Sequence, residues 1–79
     1  MGQIKTTMPG VFYRRPAPDA APYVEEGAHI APGQTVALIE VMKTFNEIKA
    51  DATGVLRSFL LDDGDEVAMG QALAEVDEA

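Results

Sequence analysis

The sequence contains no cysteine and no tryptophan, and it has a single histidine among its 79 residues. Without cysteine, disulfide bonds and thiolate metal sites are excluded. The histidine, His29, has no nucleophile or metal-ligand pattern near it, so we interpret it as an exposed loop residue. No Ser-His-Asp set and no phosphate-binding loop can be found either. The sequence therefore predicts no catalytic site, and we expect a protein that is not itself an enzyme.

Basic residues are also scarce. Six Lys and Arg against thirteen Asp and Glu give a formal net charge of -7, which argues against nucleic acid and anionic membranes as partners. No apolar run approaches the eighteen residues of a membrane span, and no secretory signal pattern is present. We therefore expect a cytoplasmic protein. The short chain predicts one domain, residues 1–79.

What the sequence does contain is an internal repeat. Residues 24–34 match residues 61–71 at a constant offset of 37, so that apolar, acidic, Gly, apolar, Gly and Gln positions recur in the same order. Gly27 corresponds to Gly64, and Gln34 corresponds to Gln71. The match continues from residues 36–40 to residues 73–77. Two structurally equivalent halves are the simplest explanation.

The first half carries an insertion. Upstream of the repeat, Gly10-Val11 resembles Gly54-Val55 at an offset of 44, so the first half has seven extra residues. The segment 16–22 holds three prolines, which fix φ and remove hydrogen-bond donors. It is therefore predicted to protrude as a stiff loop, which we call the thumb. The short apolar runs and Gly-containing turns elsewhere are typical of an all-β sandwich or barrel.

Residues 36–50 give conflicting signals. They contain no Gly or Pro, and their apolar positions have helical spacing. The repeat favours strands instead, and fifteen residues are too many for one strand in a small domain. A tight turn is therefore predicted near the centre, at Met42-Lys43, although neither residue is typical of hairpin turns. A local rule broken at one position often marks a functional site.

The residues around this predicted turn carry a family resemblance. Residues 40–51 resemble the attachment motif of the biotinyl (biotin/lipoyl attachment) domain family, which typically reads Ala-Met-Lys-Met, and residues 8–19 resemble the first strand and thumb of its members in bacterial acetyl-CoA carboxylase. The resemblance covers roughly residues 6–77. It implies a barrel-sandwich hybrid, a flattened β-barrel or sandwich. This fold has two four-stranded antiparallel sheets, quasi-twofold symmetry, an attachment lysine on a hairpin turn and a protruding thumb.

The resemblance also implies a function. Biotin would be attached covalently to Lys43, within the motif residues Val41, Met42 and Thr44, and the thumb residues Asp19, Ala20 and Ala21 would contact the biotin. A biotin protein ligase would attach the cofactor. The carrier would then shuttle carboxybiotin between a biotin carboxylase and a carboxyltransferase, with acetyl-CoA, another acyl-CoA or urea as the carboxyl acceptor.

Two departures from the family motif keep alternatives open. Val41 replaces the usual Ala, and Thr44 replaces the usual second Met. One alternative is a lipoyl carrier of an acyl-transfer complex, although lipoyl domains usually have Asp, not Met, before the lysine. Another is an unmodified interaction module, which would keep its function after Lys43→Arg. We further expect Glu40 and Glu47 to face each other across the hairpin and influence the choice of partner.

Overall fold

The computed structural model describes residues 2–78 as eight β-strands without a helix. The ends of the predicted domain, Met1 and Ala79, lie outside the described residues. No helix within residues 2–78 has the length and apolar character needed to cross a membrane. The strands are β1 (Gly2–Lys5), β2 (Gly10–Tyr13), β3 (His29–Ile30), β4 (Thr35–Val41), β5 (Thr44–Lys49), β6 (Gly54–Phe59), β7 (Glu66–Val67) and β8 (Ala72–Glu78).

The strands form two four-stranded antiparallel sheets, in the orders β1-β8-β6-β3 and β5-β4-β2-β7. Replacing each strand of the first half, β1–β4, by its counterpart in the second half, β5–β8, converts one order into the other. The internal repeat is therefore expressed as a quasi-twofold symmetry that exchanges the two sheets. The predicted all-β fold with two symmetric four-stranded sheets is confirmed.

The turns repeat this symmetry down to single hydrogen bonds. The Gly27 N–H donates to the carbonyl of Leu56 (2.6 Å), and the equivalent Gly64 N–H donates to the carbonyl of Phe12 (2.8 Å). Both glycines have φ of 91°, a backbone conformation that residues other than glycine rarely adopt. The matching glycines of the repeat are thus explained by the backbone conformation that each turn requires.

The core lies between the two sheets and consists of equivalent apolar residues from both halves. Phe12 and Leu56 are fully buried at positions related by the offset of 44, and both are among the largest fully buried side chains. The other symmetric core pairs are Ile4 with Ile48, Ile30 with Val67, Val36 with Leu73, Ala37 with Ala74, and Ile39 with Val76.

The hidden turn and the thumb are found where the sequence predicts them. Residues 36–50 contain no helix but two strands joined at Met42-Lys43. The thumb lies in the long connection between β2 and β3, whereas β6 and β7 are joined by a short one. His29 is exposed, but it belongs to strand β3 and not to a loop as expected.

Candidate functional site

The most distinctive local feature is the turn between β4 and β5. Met42 and Lys43 have φ of 49° and 67°, and no other non-glycine residue among positions 2–78 has positive φ. Positive φ at both central positions is the type I′ arrangement, which suits the twist of a two-residue hairpin. It costs about 1–2 kcal/mol for each non-glycine residue, so the hairpin holds these two residues against their own preference.

The turn presents both side chains to solvent. Lys43 is exposed, and Met42 has 93% of its surface accessible. Among residues 2–78 the ion pairs join Arg15 to Asp63 and Arg57 to Asp77, so no carboxylate within the described chain holds the Lys43 ammonium. A protruding, unpaired lysine on a backbone of defined conformation is accessible to an enzyme that modifies it.

The other two motif residues close the hairpin. Val41 and Thr44 are directly opposite each other in the last pair of the β4–β5 ladder. Val41 is half-buried and packs against the core between the sheets, whereas Thr44 is exposed. Met8 and Pro9 extend this surface on one side of the hairpin into an open groove of about 380 Å³.

The connection carrying the thumb is anchored to the second half of the molecule. The backbone N–H of Arg14 donates to Oδ1 of Asp63 (2.6 Å), and Nε of Arg15 lies 3.0 Å from Oδ2 of the same carboxylate. Arg15 Nη1 also donates to the carbonyl of Ala20 (3.4 Å), and the Tyr23 N–H donates to the carbonyl of Arg14 (3.0 Å). One carboxylate in the β6–β7 turn therefore orders the start of the loop.

A cleft of about 510 Å³ separates the thumb from the β4–β5 hairpin. Its volume lies within the range of small-molecule sites. Apolar and aromatic side chains dominate its walls, and the Arg15–Asp63 ion pair supplies charge. The lining residues are Tyr13, Arg15, Pro16, Ala17, Pro18, Phe45 and Asp63. Phe45 is 59% exposed and lies two positions after Lys43, so the cleft borders the β4–β5 hairpin close to its turn.

The structure brings some of the predicted site residues together and leaves others apart. Val41, Met42, Lys43 and Thr44 share the end of one hairpin, as predicted. The thumb residues Asp19, Ala20 and Ala21 are not among the residues that line the cleft; Asp19 and Ala21 are exposed, and Ala20 is half-buried.

The expected contact between Glu40 and Glu47 was wrong. In the observed register Phe45 lies opposite Glu40, and Leu38 lies opposite Glu47. The two carboxylates therefore share the outer face of the sheet on a diagonal.

Sequence reasoning named none of the cleft residues as site residues, and four of them also lie outside the predicted thumb, residues 16–22: Tyr13, Arg15, Phe45 and Asp63. For Phe45 a signal was available, because a turn at residues 42–43 already places it on the same face as Leu38 and Glu40. Nothing in the sequence indicated that Asp63, far along the chain, would hold the base of the thumb.

Comparisons with known proteins agree with this geometry. The model of the biotin/lipoyl family, described as biotin-requiring enzyme, matches residues 2–76. The chain is 42% identical over 76 residues to the biotin carboxyl carrier protein of acetyl-CoA carboxylase from Nostoc sp., covering 96% of this chain and 42% of that protein. It is 35% identical over 74 residues to the protein of the same name from Haemophilus influenzae, covering 94% of this chain and 48% of that one.

A solved structure shows the same architecture. The urea carboxylase of Kluyveromyces lactis superimposes with a TM-score of 0.78 at 26% sequence identity, covering 96% of this chain and 6% of that one. The chain spans less than half the length of the two carrier proteins named above. Because the family model matches nearly all of its residues, the chain belongs to the biotin/lipoyl attachment domain family of biotin-requiring enzymes.

Proposed function

We propose that this domain is a biotin carboxyl carrier that holds biotin in amide linkage to Nζ of Lys43. The observation that carries the proposal is the exposed lysine on a strained, two-residue turn between the symmetric halves. Membership of a family of biotin-requiring enzymes supports biotin as the group attached. The name of the relatives, biotin carboxyl carrier protein of acetyl-CoA carboxylase, supports the carrier role.

The role of the fold is to present Lys43 to other enzymes. The ladder from β4 to β5 holds the turn, and the turn places Lys43 beyond the sheet where a biotin protein ligase can reach it. Once attached, biotin supplies a ureido nitrogen that accepts a carboxyl group and releases it to an acceptor. The long lysine side chain acts as a tether, so that each delivery is effectively intramolecular. The domain itself then needs no catalytic side chain.

The partners follow from this role. A biotin carboxylase would load the cofactor and a carboxyltransferase would unload it, with acetyl-CoA as the acceptor that the relatives' names favour. The similarity to a urea carboxylase makes urea the first alternative acceptor to test. The ligase, the carboxylase and the carboxyltransferase would all have to recognise the same hairpin. The exposed, flexible side chain of Met42 suits such varied contacts.

The cleft beside the hairpin fits a resting place for the biotin ring. Its walls offer apolar contacts from Pro16, Pro18 and Phe45, and the Arg15–Asp63 pair offers charged groups to a polar ureido group. We therefore transfer the expected thumb contact from Asp19, Ala20 and Ala21 to residues 16–18. Chemical shifts of the Ala17 amide and of the Phe45 ring, compared before and after biotinylation, test this assignment.

The carrier function is tested by intact mass after incubation with biotin, ATP and a biotin protein ligase. Wild type should gain one biotinyl increment, and Lys43→Arg should gain none. Lys49→Arg is the matched control, because Lys49 is also an exposed lysine and lies at the far end of β5, the strand that follows Lys43. Modification of Lys43→Arg would refute the attachment site. A wild type that resists biotin and accepts lipoate from a lipoate ligase would establish the lipoyl alternative.

A further inference from the structure

The two departures from the family motif are a single structural feature. Val41 and Thr44, which replace the usual Ala and Met, lie directly opposite each other and form the ladder pair that adjoins the turn. Both side chains are β-branched, which restricts χ1 and favours extended backbone. Residues that prefer the extended conformation therefore flank both sides of two residues held in the left-handed conformation.

Val41 also connects this pair to the body of the domain. It packs against the core between the sheets, and its Cγ2 atom lies 3.0 Å from the position that a Cβ on Gly10 would occupy. The missing side chain of Gly10 thus leaves room for the second γ-methyl of Val41. The end of β4 is held by the packing of Val41 against the core and by its pairing with Thr44 on β5.

We propose that Val41 and Thr44 are positioning residues for Lys43: as a β-branched pair they hold the turn in the conformation that a biotin protein ligase binds. This inference rests on the proposed carrier function. If the ligase binds only the ordered turn, its apparent affinity for the carrier falls in proportion to the fraction of molecules in which the turn is ordered. Disrupting the pair therefore raises KM for the carrier. It leaves kcat unchanged, because the turn has the same conformation once it is bound.

The experiment is a double-mutant cycle with Val41→Ala, Thr44→Met and the variant carrying both. Each single change should raise KM by up to about fivefold, the upper limit expected from the loss of a cross-strand pair, at unchanged kcat. The KM of the double variant should be no higher than that of the more impaired single variant, because either single change already breaks the pair. The three-bond couplings between the amide proton and Hα of Met42 and Lys43 report the turn conformation in the protein without biotin. They should move away from the values of the left-handed conformation, and the size of this change should rank the variants in the same order as KM does.

Two conservative variants separate shape from direct contact. Val41→Ile and Thr44→Val keep the β-branch and should keep the wild-type KM. A raised KM in Thr44→Val would show that the ligase needs the hydroxyl group, and effects of the two changes that multiply would show that the residues act independently. Either result would overturn the proposal, as would a lower kcat at unchanged KM.

The coupling constants distinguish failure of this inference from failure of the carrier function. If Val41→Ala and Thr44→Met leave the couplings of Met42 and Lys43 unchanged, the pair does not order the turn and the inference is wrong. If no biotin protein ligase modifies the wild type, the carrier function is wrong, and the part of the inference that concerns the ligase is wrong with it.

Discussion

Replacing Met42 by Asn should stabilise the fold and impair biotin attachment at the same time. Met42 has φ of 49°, and a non-glycine residue there costs about 1–2 kcal/mol. Asn tolerates the left-handed region better and is the preferred first residue of a type I′ turn. Because 93% of Met42 is exposed, the substitution loses only a few tenths of a kcal/mol of hydrophobic burial, at about 25 cal/mol per Å².

The net gain is therefore about 0.5–1 kcal/mol, which corresponds to a rise in Tm of about 2–8 °C for a domain of this size. Thermal unfolding followed by circular dichroism measures it. Met69→Asn is the matched control, since Met69 is also an exposed methionine in a turn but is not among the residues with positive φ. Its substitution should leave Tm unchanged. An unchanged or lower Tm for Met42→Asn, or an equal rise for Met69→Asn, would refute the strain argument.

The functional half of this prediction concerns the ligase. If the ligase buries the Met42 side chain, losing that apolar contact costs about 1.5 kcal/mol or more of binding. This corresponds to about a tenfold lower kcat/KM for biotinylation. A more stable but more slowly modified carrier would show that the unusual turn residue is retained for recognition at the expense of stability. An unchanged kcat/KM would show that the ligase makes no use of Met42.

Two further predictions concern the frame around the turn. Gly54→Ala should lower Tm by about 8–16 °C, from about 2 kcal/mol of overpacking, because its Cβ would overlap the carbonyl oxygen of Asp77. The control is Gly64→Ala, whose Cβ would meet no atom within 4 Å but whose φ is 91°, so it should cost only about 1 kcal/mol. Equal losses of stability in the two variants would contradict the clash at Gly54. Asp63→Ala removes the acceptor that anchors Arg14, whose carbonyl accepts from the Tyr23 N–H, so hydrogen exchange of the Tyr23 amide should accelerate by about tenfold. Asp62→Ala is the control and should leave this exchange rate unchanged. An unchanged rate in Asp63→Ala would show that the loop is ordered without that carboxylate.

The all-β fold and its two equivalent halves could be predicted from the turns and the repeat, whereas the two four-stranded sheets followed from the family resemblance. Matching glycines at offsets of 37 placed the turns, and these are the positions where positive φ is required. The same repeat correctly outweighed the helical spacing of residues 36–50, because a helix in one half would need a counterpart in the other. The Met42-Lys43 turn was deduced from the repeat together with the length of the segment, and both residues do have positive φ.

The errors and omissions concern contacts between distant segments. A two-residue turn at 42–43 pairs each residue before it with the one equally far after it. Glu40 therefore had to lie opposite Phe45, and the expected pairing with Glu47 ignored this consequence. The thumb is different, because its course depends on Asp63, which is 48 positions from Arg15. No local pattern contains that contact, so the cleft walls could not be deduced without the structure.

The places where the two halves differ coincide with the candidate site. Leu38 is buried on the outer face of its sheet, although it does not belong to the core between the sheets, and its counterpart in the other half is the half-buried Glu75. Tyr13 lines the cleft, whereas its counterpart, Arg57, pairs with Asp77. The backbone symmetry is thus preserved, while apolar or aromatic side chains stand on one outer face at two positions where the other half has charged ones. Tyr13 lies opposite Leu38 on adjacent strands, so both differences fall beside the thumb, the insertion that only the first half carries and that forms one wall of the cleft.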